Sequence, residues 1–382
     1  MAIDFRPSWM DHDLEIYRDS IARFLDTEML PADAEARARG HVGHDIWRRA
    51  GELGFLCSDI AADYGGGGGD FRHEAVLHEE MARRGLTGMS ASVHSIVAHY
   101  FVNHGTEDQR RRFLPRMVRG ELVGAIAMTE PGAGSDLQGI RTRAERRGDR
   151  FVVNGSKTFI TNGFLAGLVL LVAKTDPAQG ARGTSILVVE TSGCRGFRVG
   201  RVLDKIGLKA QDTSELFFDD VEVPAENLLG GVEGRGFFQL MSDLPYERLI
   251  IGVAAVAAME GAYAATLDYV RTRSAFGRPV ADFQNTRFKL AEIATTIRVA
   301  RTFVDRCVED LVAGRLDTVT ASMVKMWTSD QQCRVIDECV QLFGGYGYMN
   351  EYLVGRMYVD ARVQRIYGGT NEIMKEVIAR AL

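Results

Sequence analysis

Several short segments carry residue types that could hold a ligand. Met128-Thr-Glu-Pro-Gly-Ala-Gly-Ser-Asp136 is glycine-rich and follows a strand-like segment. Its glycines let backbone N–H groups approach an anion closely, and Thr129 and Ser135 add hydroxyl donors. The same pattern also suits a plain turn. Thr158-Phe-Ile-Thr-Asn162 sets Phe159 and Thr161 on one face of a strand. The ring could stack on a planar group while the hydroxyl bonds its edge, although ordinary core packing uses such pairs too. Arg271-Thr-Arg-Ser-Ala-Phe-Gly277, followed by Phe283 and Gln284, puts two cations beside an aromatic. Arginine forks can grip a pyrophosphate and Phe276 could face an adenine; a solvated inter-helix loop is the alternative. Gln341–Gly347 and Tyr367–Glu372 are glycine-rich breaks in helical sequence. They are either helix stops or backbone contacts to a ligand.

Other chemistries lack support. No Ser-His-Asp order, no HExxH and no GxGxxG after a strand occurs, and the eight histidines are scattered. A Rossmann nicotinamide enzyme loses its main signature. The Gly65–Gly69 run lacks the Gly-Lys-Ser/Thr of a phosphate loop and is expected to be a loop between helices.

The elements that must position these segments fall into three zones. From about Asp11 to Gly120 the apolar spacing is helical, as in Leu14, Tyr17, Ile21, Phe24 and Leu25, with breaks expected at Pro31, Gly65–Gly69 and Gly85–Gly88. From about Leu122 to Glu233 the pattern is strand-like. Asn154-Gly155, between Phe151-Val-Val and Lys157-Thr-Phe-Ile-Thr, predicts a hairpin. Further strands are expected at 168–173, 184–190 and 215–223, and the lack of crossover helices favours an antiparallel barrel or sandwich. Beyond about Gly236, helices are expected over 248–272, 284–314 and 318–343. The fold class is therefore α+β, with domains at 1–121 (helical), 122–234 (β) and 235–382 (helical bundle).

Composition narrows the setting. The chain's 382 residues suit more than one core, and its net charge of −5 provides no global field for nucleic acid or anionic membrane. Five cysteines without CxxC pairing point to reduced thiols in a cytoplasmic setting, and away from a disulfide framework or a metal site. The opening MAIDFRPSWMDHDLE has no apolar core behind a basic start, so no secretory leader is expected. The longest apolar stretch, Leu249–Met259, is about half of what a bilayer needs and reads as a buried helix, so no membrane insertion is expected.

Taken in order, AMTEPGAGSD, KTFITNG, RSAFG with FQ, QLFGGYGY and IYGGTNEIM resemble the acyl-CoA dehydrogenase family, from roughly Asp11 to Leu382. The resemblance implies an N-terminal helical domain, a central β-domain and a C-terminal four-helix bundle. It further implies FAD between the domains, an acyl-CoA substrate, a homotetramer and an electron-transfer flavoprotein as acceptor. Met128, Thr129 and Ser135 would line the flavin and its phosphates, with Ser135 also near substrate. Phe159 would pack on the isoalloxazine and Thr161 would reach N5. Arg273, Phe276 and Gln284, with Gln341, Gly344 and Gly345, would hold the FAD of a neighbouring subunit. Thr370 and Glu372 would contact the ADP portion in their own active site.

Many members of that family carry the catalytic Glu directly after the Tyr of the last motif, where this chain has Gly368. The isovaleryl-CoA and long-chain types place the glutamate on a helix of the C-terminal bundle instead. Leu-Pro-Tyr-Glu247-Arg248-Leu stands at that place, and the likeness to the long-chain type is close there and through DARVQRIYGGTNEIMKE. By itself a Glu near a helix start is normally a dipole partner; with Gly368 vacant, Glu247 becomes the candidate base. The backbone N–H of Gly368 would then meet the thioester oxygen, and Arg248 would orient the base or meet CoA, unless it serves a helix salt bridge. The resemblance leaves two rival readings: an oxygen-using flavin oxidase or monooxygenase on the same scaffold, and a non-catalytic flavin or DNA-binding relative. The acidic balance argues against the second. Residues 92–96 would line the acyl cavity or simply pack in the core.

Overall fold

Asp11 starts the first helix, its carboxylate accepting from the Leu14 N–H at 2.9 Å. A computed structural model describes residues 5–382; the first four residues of the stretch read for a leader lie outside the described residues. α1 (His12–Phe24) continues through a π-helical turn at Leu25–Met29 into α2 (Leu30–Arg39). The break expected at Pro31 is therefore absent. The proline sits in the first turn of α2, where a missing N–H costs little, and the chain leaves the helix at Gly40 with φ 85°. α3 (His44–Glu52) follows, and the glycine run 65–69 is the expected loop, closed by Asp70, which caps α4 (Phe71–Arg83). α5 (Ala91–His104) and α6 (Glu107–Val118) complete the first zone, α6 starting from a Thr106/Gln109 capping box.

The central sheet contains β1 (Gly124–Ala127), β2 (Arg143–Arg147), β3 (Arg150–Thr161), β4 (Leu168–Lys174), β5 (Thr184–Glu190), β6 (Phe197–Val202) and β7 (Thr213–Pro224). Their order is β1-β4-β2-β3-β7-β6, with β5 also on β4. The expected antiparallel pairing applies to β2–β3–β7–β6 and β4–β5. β1 runs parallel to β4, because the β2–β3 hairpin lies between them in the chain. The hairpin expected at Asn154-Gly155 is a misreading. β3 runs straight through that dipeptide, with a register shift between Val153 and Gly155. A Cβ on Gly155 would stand 2.5 Å from Thr142 Oγ1, so glycine serves close approach there. The turn is made by Gly148 and Asp149 instead, next to the Arg147–Arg150 pair.

α7 (Gly236–Thr272) begins well before the expected Arg248, carrying Pro245 in its interior. A two-stranded turn, β8 (Ser274–Ala275) with β9 (Arg278–Pro279), leads into α8 (Gln284–Val312) and α9 (Thr318–Phe343). In place of a fourth long helix, α10 (Leu353–Ala361) and α11 (Asn371–Ala379) both pack on α9. The helical zones are not separate bodies: α4 lies against α7 and α8, and one core cluster joins Phe71 and Met81 to Val253 and Val304. Buried Arg301 of α8 ties the three helices together, bonding Glu260 at 2.8 and 2.9 Å and also pairing with Glu79 and Asp305. Removing one partner of such a buried network costs about 3–5 kcal/mol. α7 is long and apolar enough to cross a bilayer by composition, its richest window averaging 1.6 in hydropathy, but 72% of that window is buried in the protein.

Candidate active site

Glu247 lies on α7 where that helix meets α5. Tyr100 of α5 donates its hydroxyl hydrogen bond to Glu247 Oε1 at 3.0 Å. Burial pushes the Glu247 carboxyl up to about 7; the Tyr100 bond works against that, nearby Asp243 adds to it, and Arg248 opposes it. One turn earlier on α7, Asp243 accepts from Asn103 Nδ2 at 2.8 Å and lies 3.2 Å from His104 Nε2. An uncharged donor and a desolvated acid make a base that is weakly ionised at low pH and competent near neutrality.

Arg248 turns the other way. It is buried, bonds Ser322 Oγ of α9 at 2.9 Å and makes no ion pair among the described residues, so the helix salt bridge is absent. Its guanidinium reaches the Gly368–Gly369 loop: Nη2 would lie 4.0 Å from a Cβ on Gly369. Lys325 of α9 fixes this loop, donating to Gly369 O at 2.7 Å and Asn371 Oδ1 at 3.0 Å. Burial pulls the Lys325 ammonium down to about 8, with the Arg248 charge adding to the effect. Gly368 has φ 62°, and its N–H makes no hydrogen bond among the described residues. A Cβ there would stand 2.6 Å from Ile251 Cδ1, one helical turn beyond Glu247. Thr370 caps α11 by accepting from the Ile373 N–H at 3.3 Å, and Glu372 stands exposed in the first turn of α11.

The glycine-rich loop is locked to β3. Buried Lys157 donates to Met128 O at 2.8 Å and Glu130 Oε1 at 2.9 Å, and the Thr158 N–H donates to Thr129 O. Glu130 also takes the N–H groups of Arg141 and Thr142 at 2.7 and 2.9 Å. Burial alone would raise the Glu130 carboxyl, yet these bonds hold it below its ordinary value. Gly132 and Gly134 face open space and Ser135 is exposed. The register of β3 shifts between Lys157 and Ile160 and Phe159 takes φ 59°, so the strict strand alternation that the one-face reading of Phe159 and Thr161 assumes is broken there. The Phe159 ring is 67% exposed, and Thr161 Oγ1 accepts from Gln211 Nε2 at 3.3 Å.

A third group gathers elsewhere. Arg273, Gln341, Gly344 and Gly345 line one cleft of about 590 Å³, with Tyr269 and Tyr346 beside them. Phe276 projects from the β8–β9 turn with 96% of its surface exposed, and Gln284 opens α8 nearby in the chain. No hydrogen bond or ion pair joins this group to Glu247 or to the Met128–Thr161 group among the described residues. Within 92–96, His94 and Ser95 are committed to the core, bonding Met117 O and Glu74.

Family models for the N-terminal, middle and C-terminal domains of acyl-CoA dehydrogenase match residues 11–121, 125–221 and 234–382. The chain belongs to the acyl-CoA dehydrogenase family. It is 50% identical to the mitochondrial long-chain specific acyl-CoA dehydrogenase of Mus musculus, over 97% of this chain and 86% of that one. The acyl-CoA dehydrogenase structure from Geobacillus kaustophilus superposes with a TM-score of 0.95 at 45% identity, covering 98% of this chain and 99% of the other. A Mycobacterium smegmatis glutaryl-CoA dehydrogenase, solved with FADH2, superposes at 0.90 with 27% identity, covering 97% and 95%.

This acyl-CoA dehydrogenase is thus an oxidoreductase of an FAD-dependent family that dehydrogenates acyl-CoA. Its surface fits the cofactor. The uncovered Phe159 ring suits a flat ring system, the open Gly132/Gly134 backbone suits phosphate, and Arg273 beside Gly344 and Gly345 suits a second anionic segment. Sequence reasoning missed Tyr100, Asp243, Lys157, Glu130 and Lys325. A buried Lys four residues from the end of a strand motif had a signal, since Lys157 opens the KTFITNG motif itself. Tyr100 had none, lying 147 residues from its partner.

Proposed function

We propose that this acyl-CoA dehydrogenase removes the α-proton of a saturated, medium- to long-chain or branched acyl-CoA with Glu247, giving the trans-2-enoyl thioester. The observation that carries the reading is the buried Glu247 carboxyl one helical turn before Ile251, the side chain that a Cβ on Gly368 would meet. An α-proton next to a thioester is weakly acidic, so the base must be strong at neutral pH; burial supplies that. The Gly368 N–H, without a hydrogen-bond partner among the described residues, is offered to the thioester oxygen, where negative charge develops as the proton leaves. Arg248, buried and held by Ser322, positions the loop that carries this donor.

Met128, Thr129, Ser135, Phe159 and Thr161 would hold the flavin end of FAD, with Thr370 and Glu372 at its ADP portion. Arg273, Phe276, Gln284, Gln341, Gly344 and Gly345 would hold the FAD of a neighbouring copy. When bound, FAD supplies the hydride acceptor at the β-carbon. An aromatic as exposed as Phe276 supports cover by a second subunit, and the family resemblance suggests a homotetramer. Electrons would leave to an electron-transfer flavoprotein.

The test is turnover of straight-chain and branched acyl-CoAs with a dye acceptor, alongside peroxide measurement. Dye-linked turnover with little peroxide is expected. Peroxide stoichiometric with product would replace the dehydrogenase reading by that of an oxidase.

A further inference from the structure

α5 and α7 meet along a polar seam. Tyr100 faces Glu247; one turn on along α5, Asn103 and His104 face Asp243, one turn back along α7. Tyr100 is fully buried, and Glu247 keeps 7% of its surface open. Glu247 Oε2 makes no hydrogen bond among the described residues. We propose that Tyr100 is the positioning residue of the base, tying down Oε1 so that Oε2 is the oxygen that takes the proton. This rests on the reading of Glu247 as base.

The terminal torsion of a glutamate is broad, so a desolvated carboxylate with no donor would sample several orientations. One donor on one oxygen removes that freedom while leaving the other free. A neutral phenol does this without pairing the charge, whereas an arginine would hold the base in its weakest form. The groups around the carboxylate agree with this arrangement. From α7, Asp243 is engaged by Asn103 and His104, and Arg248 is engaged by Ser322 of α9, with Lys325 of α9 turned to Gly369. From α5, Tyr100 is the one residue among those described that hydrogen-bonds Glu247.

The experiment compares Tyr100→Phe, Glu247→Gln and wild type as FAD-loaded enzymes. Kinetics with a saturated acyl-CoA are read across pH, together with α-proton removal from a 3-thiaacyl-CoA followed by its long-wavelength absorbance. Tyr100→Phe is expected to lose about tenfold in kcat with KM little changed. Its acid limb should rise by about one pH unit, because a donor to the charged form is gone. The 3-thiaacyl-CoA absorbance should appear at correspondingly higher pH. An inactive Glu247→Gln with unchanged kcat and acid limb in Tyr100→Phe overturns the positioning role alone. An active Glu247→Gln overturns the base reading beneath it. Should Tyr100→Phe fail to retain FAD, 3-fluorotyrosine at position 100 keeps the ring and strengthens the donor. It is expected to move the acid limb down, and an unmoved limb overturns the proposal as well.

Discussion

A side chain on Gly368 would point at Ile251, which stands one turn beyond Glu247 on the same face of α7: the Cβ-to-Cδ1 distance would be 2.6 Å. Position 368 therefore faces the stretch of α7 that carries Glu247, and under the proposed reading a carboxylate from either position is expected to reach the same place.

The base should accordingly be movable. Glu247→Gly with Gly368→Glu is expected to recover part of the activity that Glu247→Gly loses. Recovery will be limited, because Gly368 sits at φ 62°, where a side chain costs roughly 1–2 kcal/mol, and the Ile251 tip must shift. Adding Ile251→Ala should increase it. Flavin-loaded double and triple variants that both stay inactive would separate the two positions.

Stability should carry the mark of the same burial. The folded-state value of Glu247, about 7, lies above the roughly 4.3 of an unfolded glutamate. Below about pH 4 both states hold the proton and the group costs nothing. Between there and pH 7 the unfolded chain ionises first, so stability falls as pH rises. Above pH 7 the cost is complete, at roughly 4 kcal/mol. Glu247→Gln is therefore expected to melt higher than wild type at pH 8, with the gain fading toward pH 4.5. Equal gains at both pH values would point away from carboxylate desolvation.

Lys157 anchors the glycine-rich loop, and Lys157→Met should release it. The change leaves the Glu130 carboxylate buried without its cation, a loss of about 3–5 kcal/mol. Thermal unfolding and flavin absorbance after desalting are the readouts: both melting temperature and bound FAD should fall. Full flavin retention with an unchanged melting temperature would remove the loop from the cofactor site.

The fold was legible where local chemistry is strong. The helices opening at Gln284 and Thr318 are set by their own periodicity and, for Thr318, by the Asp317 cap. Errors arose where tertiary packing overrides a local signal. Pro31 reads as a break, yet it fits the first turn of α2 directly after a π-turn, and the helix expected from Arg248 begins at Gly236 with Pro245 inside it. Asn154-Gly155 carries turn chemistry, but close approach to Thr142 uses it as a bulge inside a long strand. At the site, Glu247 was reached only through a family resemblance. Tyr100 and Asp243 stayed hidden because their roles come from the α5–α7 seam, which no local spacing encodes.

The central claim is tested most directly by the reductive half-reaction. FAD-loaded wild type and Glu247→Gln are mixed anaerobically with saturating acyl-CoA, and loss of oxidised flavin absorbance is timed. Glu247→Gln should retain FAD and bind acyl-CoA while reduction slows at least about 10²-fold. Reduction at near the wild-type rate would contradict the account.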